Sequence, residues 1–360
     1  PARSEMCIRD RFFRTSAADF KNIPGNPIAY WVSHCLLEAF ANSPKIGSIA
    51  AASNGVQTGN NDLFLRCWPE ISIEKLTRKE WLPYNKGGAY RKWYGNNDYV
   101  VNWINDGFDI KSQNNCCIRG EENYQKEGIT WSDITSAISS FRYFPEGHIF
   151  DAKGPSAFFA RHEYLRPTLA YLNTKISGFI TKILNPTLSF QIGDFRNIPY
   201  PKIIFDEGNQ FLEESTSKLI EISKSDWDSF ENSYNFGFFP ILDSRFHGLN
   251  LEVSYEAFAR YRQMQIDMTK SLEEEHNRIF IDAYGLQDEL DPDVKLSEIT
   301  LTCNSHYRYG SDLTDDEREA RLKSDTMREL VSYAVGCMMG RYSLAEPGLI
   351  LSLIHISDGA

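Results

Sequence analysis

NKGGAYRKWYGNNDYVVNW, residues Asn85 to Trp103, interleaves glycines (Gly87, Gly88, Gly95) with cations (Lys86, Arg91, Lys92) and with aromatic or amide side chains. Its end, DYVVNW from Asp98, is β-rich, so the segment reads as a glycine-containing loop framed by strands. Amides and cations in such a loop reach phosphates, while Asn, Arg and aromatic groups address base edges or stack on them. Between Lys75 and Tyr94 stand Lys75, Arg78, Lys79, Lys86, Arg91 and Lys92 against one acid, Glu80, although the chain as a whole carries a net charge of −11. Charge gathered on one face steers a polyanion whatever the net value. The same composition also suits a basic surface hairpin over a partly buried tryptophan pair.

On either side the signal is mixed. IPGNPIAYW from Ile23 reads as a turn leading into an amphipathic helix through Trp31, Leu36 and Phe40. From Ile49 to Tyr200 short β-rich runs (DLFLRCW from Asp62, EGHIFDA from Glu146) are separated by Gly, Asn and Pro, which predicts a twisted antiparallel or mixed sheet with long loops. Within it, Arg166 to Ile183 has apolar residues at helical spacing (Leu169, Leu172, Ile176, Phe179, Ile183), and NPTLSFQIGDFRNIPYP reads as turn, strand and turn. After Pro201 the chain turns acidic and helical. A helix reaches about Lys224. A long one runs from Ser254 to Tyr284 with Tyr261, Met264, Met268, Leu272, Ile279 and Ala283 as its buried stripe, and Gly285 stops it. The last helix opens on the capping box Thr314-Asp-Asp-Glu317 and carries Met327, Leu330, Val331, Ala334, Val335 and Met338 on one face. The fold class is therefore α+β, a β-rich domain followed by a mainly helical C-terminal region.

With 360 residues the chain can bury a real core in two domains. Seven cysteines are too few for a disulfide scaffold, and no CxxC pair offers a metal site. A reducing cytoplasm is the compartment this implies. No apolar run has the length of a membrane helix and no signal peptide is evident. Residues 1–12 and 352–360 lack patterning that leads into their neighbours and read as translated read-through, which makes the chain a piece of a longer protein.

Catalytic motifs are missing. There is no GxSxG, no HExxH and no phosphate-binding P-loop, since GVQTGNND from Gly55 lacks the Lys-Ser/Thr. Asp151 and Lys153 form a D-x-K without a second acid at suitable spacing, which reads as a strand end. His148 and His162 are isolated. No catalytic, cofactor or metal residue is assigned.

An ordered set of segments nevertheless resembles one family: IPGNPIAYW, GVQTGNNDLFLRCW, PYNKGGAYRKWYGNNDYVVNW, GITWSDITS, FRYFPEGHIFDAKGPS, LNTKISGFITKILNPTLSFQIGDFRNIPYP, DWDSFENSYNF, HNRIFIDAYGLQDELDPDV and SYAVGCMMGRYSLAEPGLIL. The chain from about Phe13 to Leu351 is similar to the C-terminal half of the adenine-specific DNA methyltransferases of BREX phage-defence systems, the PglX type, which are related to type IIG enzymes. Such enzymes bind S-adenosylmethionine in an N-terminal domain and hold a flipped adenine with an Asn-Pro-Pro-Tyr-type motif. Here Asn26-Pro27 and Asn185-Pro186 are followed by Ile28 and Thr187, so the resemblance implies that the catalytic half lies elsewhere and that this chain binds no cofactor.

The resemblance implies a linker and helix at 13–49 from the end of the methyltransferase domain, a target-recognition domain at 50–205 and a helical region at 206–351. Double-stranded DNA is the implied partner, together with the missing methyltransferase domain and other BREX proteins. The turn around Pro24 and the stripe of the last helix would pack on that missing surface. The expected DNA contacts are Lys86, Gly87, Gly88, Arg91, Lys92, Asn96 and Asn97, with Gln57, Thr58, Asn60 and Asn61 as a second loop. Lys and Arg are assigned to phosphates, and Asn, Gln and Arg91 to base edges. Trp93 and Tyr94 either pack beneath the loop or touch DNA. A competing class is a protein-interaction module of a defence complex, docking through aromatic loops and the acidic helices.

Overall fold

The computed structural model describes residues 23–27, 29–134, 139–204, 209–345 and 347–350. The read-through expected at 1–12 and 352–360, the linker at 13–22, the end of GITWSDITS and the junction at 205 and 206 fall outside them. The architecture is α+β, with the helices gathered toward the C-terminus.

Two four-stranded sheets make up the β-rich part. In the first, β1 (Ala50–Ser53), β8 (Ser156–Phe159), β5 (Gly128–Trp131) and β6 (Phe141–Phe144) run antiparallel in that spatial order. The second has the order β2 (Leu65–Cys67), β4 (Tyr99–Asn102), β3 (Trp81–Asn85), β7 (Ile149–Phe150), with β7 parallel to β3. Short β-branched and aromatic runs favour this pleated packing. Gly55 lets the link after β1 cross against β7, because a Cβ there would stand 1.8 Å from the Phe150 carbonyl oxygen.

DLFLRCW is only half a strand. Asn60 caps a short helix at Asn61–Phe64 by accepting the Leu63 N–H, and extended backbone begins at Leu65. The helix expected over 166–183 is two, Leu165–Leu172 and Lys175–Leu184, because Thr174 caps the second through the Ser177 N–H. The strand expected in NPTLSFQIGDFRNIPYP is the helix Ile192–Arg196. Phe195 from that helix stacks on Trp131 at 4.6 Å between ring centroids, and the Trp131 indole donates to the Phe190 carbonyl at 3.0 Å.

The long helix is Leu251–Tyr284, about 50 Å at 1.5 Å per residue, and Gly285 ends it in the left-handed conformation at φ 66°. Its buried face is not the expected one. Tyr255, Phe258, Arg262, Ile266, Thr269, Glu273, His276, Phe280 and Tyr284 face inward, whereas Met264 and Met268 are exposed. Hydropathy missed this face because polar residues line it. The helix Asp315–Met338 has the Thr314–Glu317 capping box and buries Leu322, Thr326, Tyr333 and Gly336, leaving Val331, Val335 and Met338 exposed at 63%, 47% and 86%. The largest core joins Ile23, Trp93, Trp131, Phe141 and Leu169 to Leu212, Trp227, Phe280 and Leu286, so apolar packing is continuous across the expected division at 205.

Candidate nucleic-acid interface

Beyond the paired strands β3 and β4, the loop from Lys86 to Asn97 folds back on itself. Gly87 (φ 87°), Gly88 (φ 140°), Trp93 (φ 70°), Gly95 (φ 123°) and Asn96 (φ 61°) all take positive φ. That region is open to glycine, tolerable for asparagine and strained for tryptophan. The Asn96 amide donates to the Ala89 carbonyl at 2.9 Å and fills the space a Cβ on Gly88 would need.

Arg91 and Lys92, expected to contact phosphate, are interior residues, 3% and 5% exposed. Arg91 Nη2 pairs with Asp226 at 2.7 Å, Nη1 donates to Thr302 Oγ1 at 2.8 Å and Nε to the Tyr94 carbonyl at 2.9 Å. Lys92 Nζ pairs with Glu273, and the Trp93 indole donates to the other oxygen of that carboxylate at 2.7 Å. Burial works against the Lys92 ammonium, but Glu273 outweighs it and holds the pKa above its ordinary value. Both cations neutralise buried acids and have no charge left to offer a phosphate. Trp93 and Tyr94 are buried beneath the loop.

The second loop divides in the same way. Thr58 is 1% exposed and donates to Asn61 Oδ1 at 2.7 Å, while Asn60 serves as a helix cap. Gln57 is exposed. Its backbone exchanges hydrogen bonds of 2.8 and 2.9 Å with Cys117, which brings the exposed Arg119 alongside.

Gln57 and Arg119 border a groove of about 360 Å³ with Asn54, Asp133, Lys153 and Gln191, lined also by Ala152, Pro155 and Ile192. Lys153 Nζ reaches Asp133 at 2.8 Å with its side chain still 65% exposed, and Asp133 also accepts from Ser189 Oγ at 2.8 Å. The glycine loop adjoins this groove. A Cβ on Gly87 would stand 3.0 Å from the Lys153 carbonyl, and Ser132 Oγ donates to the Gly88 carbonyl at 2.9 Å. Lys86 lies over the Tyr99 ring at 4.7 Å.

Asp151 serves the scaffold. It accepts from the Tyr84 hydroxyl at 2.8 Å and from the Lys153 amide at 2.6 Å, and burial raises its carboxyl pKa. Among the described residues no cluster of His, Cys, Asp and Glu could hold a metal ion. Asn185 commits its amide to the Ser189 carbonyl and to Asp194, at 2.8 and 2.7 Å, so it does not fit the grip on a flipped adenine that the cofactor's chemistry would need.

The groove joins the expected contact Gln57 to Lys153, which the sequence suggested only as part of a strand end, and to Asn54, Arg119 and Gln191, while the expected Lys86, Gly87 and Gly88 lie in the loop beside it. Sequence reading missed Asn54, Arg119 and Gln191, which come from separate turns that only the folded chain brings together.

No family model matches the chain. It is 37% identical to the adenine-specific methyltransferase BrxX of Escherichia coli O9:H4 (strain HS) over 347 residues, which cover 94% of this chain and 28% of that protein. It is 38% identical to the adenine-specific methyltransferase PglX of Lacticaseibacillus casei (strain Zhang) over 359 residues, again 94% of this chain and 28% of the relative. Over this span the chain resembles a part of PglX-type adenine-specific methyltransferases. The chain spans 28% of the length of these curated relatives. The DNA complex of the type IIL restriction-modification enzyme MmeI overlaps 81% of the chain and 37% of the enzyme at 9% identity, with a TM-score of 0.36, too low to establish a shared fold. Among the described residues no helix is long and apolar enough to cross a membrane.

Proposed function

We propose that this chain is the DNA-reading part of a site-specific adenine-N6 methyltransferase of the BREX phage-defence type, working in the cytoplasm. Residues 50–205 would form its target-recognition domain. S-adenosylmethionine and methyl transfer would belong to the rest of the enzyme, since neither Asn26-Pro27 nor Asn185-Pro186 continues into the second proline and aromatic of the adenine-holding motif. The observation that carries the reading is the groove in which amides (Asn54, Gln57, Gln191) converge with cations (Arg119, Lys153) beside the glycine loop. Cations of this kind fix a duplex through its phosphates, and amides can pair with base edges. Lys86, Gly87, Gly88, Asn96 and Asn97 of the adjoining loop would extend the same surface. Thr58, Asn60 and Asn61 would act by shaping the loop that presents Gln57.

Duplex binding by the 360-residue chain, measured across a salt series, tests this. Salt-sensitive binding that weakens in R119A/K153A supports the reading, and a chain that binds no duplex at any salt overturns it. The exposed Val331, Val335 and Met338 favour a second role for the helical region, docking on protein. The remainder of the enzyme is the first partner to test, ahead of other BREX proteins.

A further inference from the structure

The glycine loop is gripped from behind by the helical region. Asp226, near the end of the helix Asn209–Trp227, accepts from Arg91 and from the Thr302 and Cys303 amides at 2.7 and 2.9 Å. Glu273, about two-thirds of the way along the long helix, takes both Lys92 and the Trp93 indole. Thr300 Oγ1 accepts the Lys92 amide at 2.9 Å, and the Tyr307 hydroxyl donates to the Tyr90 carbonyl at 2.5 Å. Four consecutive loop residues are thus bonded to segments more than a hundred positions away in the chain. The last of the four, Trp93, stands at φ 70°, a backbone conformation that a bulky residue keeps only where its surroundings impose it.

We infer that Asp226 and Glu273 are positioning residues for DNA recognition: these two carboxylates hold the Lys86–Asn97 loop in the shape that discriminates one base sequence from another. The inference rests on the DNA-reading role above and adds that selectivity depends on the helical region. The groove cations set how strongly any duplex is held. The two carboxylates set how sharply the loop tells duplexes apart, since a loop free to relax meets many sequences equally well.

The test uses the full 360-residue chain and duplexes selected from a randomised pool. Two conservative variants are compared with the wild type. Trp93→Phe removes one hydrogen bond and no charge. The pair Lys92→Met with Glu273→Gln exchanges a buried ion pair for neutral groups of similar size and keeps an acceptor for the indole, a change that folded proteins tolerate. In both, the affinity ratio between the selected duplex and one with a single altered base pair is expected to fall about tenfold, while random-duplex affinity and salt slope stay at wild-type values. Amide exchange across residues 86–97 is expected to quicken. Folded variants with wild-type discrimination and wild-type exchange overturn the inference. Loss of the fold in Trp93→Phe also overturns it, in favour of a purely structural role. A wild-type chain that selects no duplex defeats the DNA-reading role instead, and exchange across the loop in these variants, and in Asp226→Asn, then still reports whether the two carboxylates hold it.

Discussion

Tyr171 and Tyr284 direct their hydroxyls at one acceptor, the Pro199 carbonyl, at 2.6 and 2.9 Å, and lie 2.9 Å from each other. Their rings stack at 13°. The contact ties the IPYP exit of the β-rich part to the end of the long helix. Tyr284→Phe keeps the ring and removes one buried hydroxyl, so it should lower the unfolding free energy by about 1 kcal/mol. Urea melting measures this, and an unchanged midpoint would show that the Pro199 carbonyl is satisfied by Tyr171 alone.

Arg119 and Lys153 are expected to account for about two units of the slope of log K against log salt, given roughly 0.9 per phosphate contact. Arg91→Ala and Lys92→Ala should act differently. Each leaves a buried carboxylate without its cation, which costs about 3–5 kcal/mol of stability. Melting curves and salt titrations together separate the two pairs. A change in salt slope in folded Arg91→Ala would return that residue to the interface.

Two buried histidines make stability depend on acidity. Burial, with the Lys92 charge nearby, lowers the His276 pKa to about 3, and burial lowers that of His148 to about 4. Both are neutral in the fold and take up a proton on unfolding below about pH 6.5. Their contribution is therefore complete above that value and is lost as the pH falls, at up to about 1.4 kcal/mol per pH unit for each. Asp98 and Asp151, held above the usual carboxyl range by burial, work in the opposite direction, so the window to examine is the one the histidines open, from about pH 6.5 down toward pH 5. Denaturant melts across it should show a decline, and His148→Gln should reduce its slope.

Val335 and Met338 stand on an exposed apolar face of the last long helix. Replacing both with Asp should suppress self-association of the isolated chain without lowering its melting temperature. Static light scattering reads the outcome, and a wild-type chain that is already monodisperse at high concentration would show that this face needs no cover.

Much of this fold is visible in the sequence because the signals are local. The Thr314 capping box, the Gly285 stop and the β-rich runs around Tyr99 and Phe141 each depend on neighbours a few residues away. The buried face of the long helix was not visible. Glu273, His276 and Arg262 look like solvent-facing residues until partners far along the chain are known. Arg91 and Lys92 mislead for the same reason. A cation beside glycines reads as surface, and its carboxylates lie 135 and 181 positions downstream. The groove was half legible. Gln57 belongs to a loop with a recognisable composition, whereas Arg119 and Gln191 join it only through the Gln57–Cys117 pairing and the short helix at 192.

The ion pairs behind the glycine loop bear on how specificity could be transplanted between relatives. A chimaera that exchanges only residues 50–205 would carry Arg91 and Lys92 into a host whose helices evolved against a different loop. Unless Asp226 and Glu273 travel with them, the graft would bury two orphaned cations. The natural unit of exchange is therefore the loop together with its helical backing, and engineering new target sequences should begin from that larger cassette.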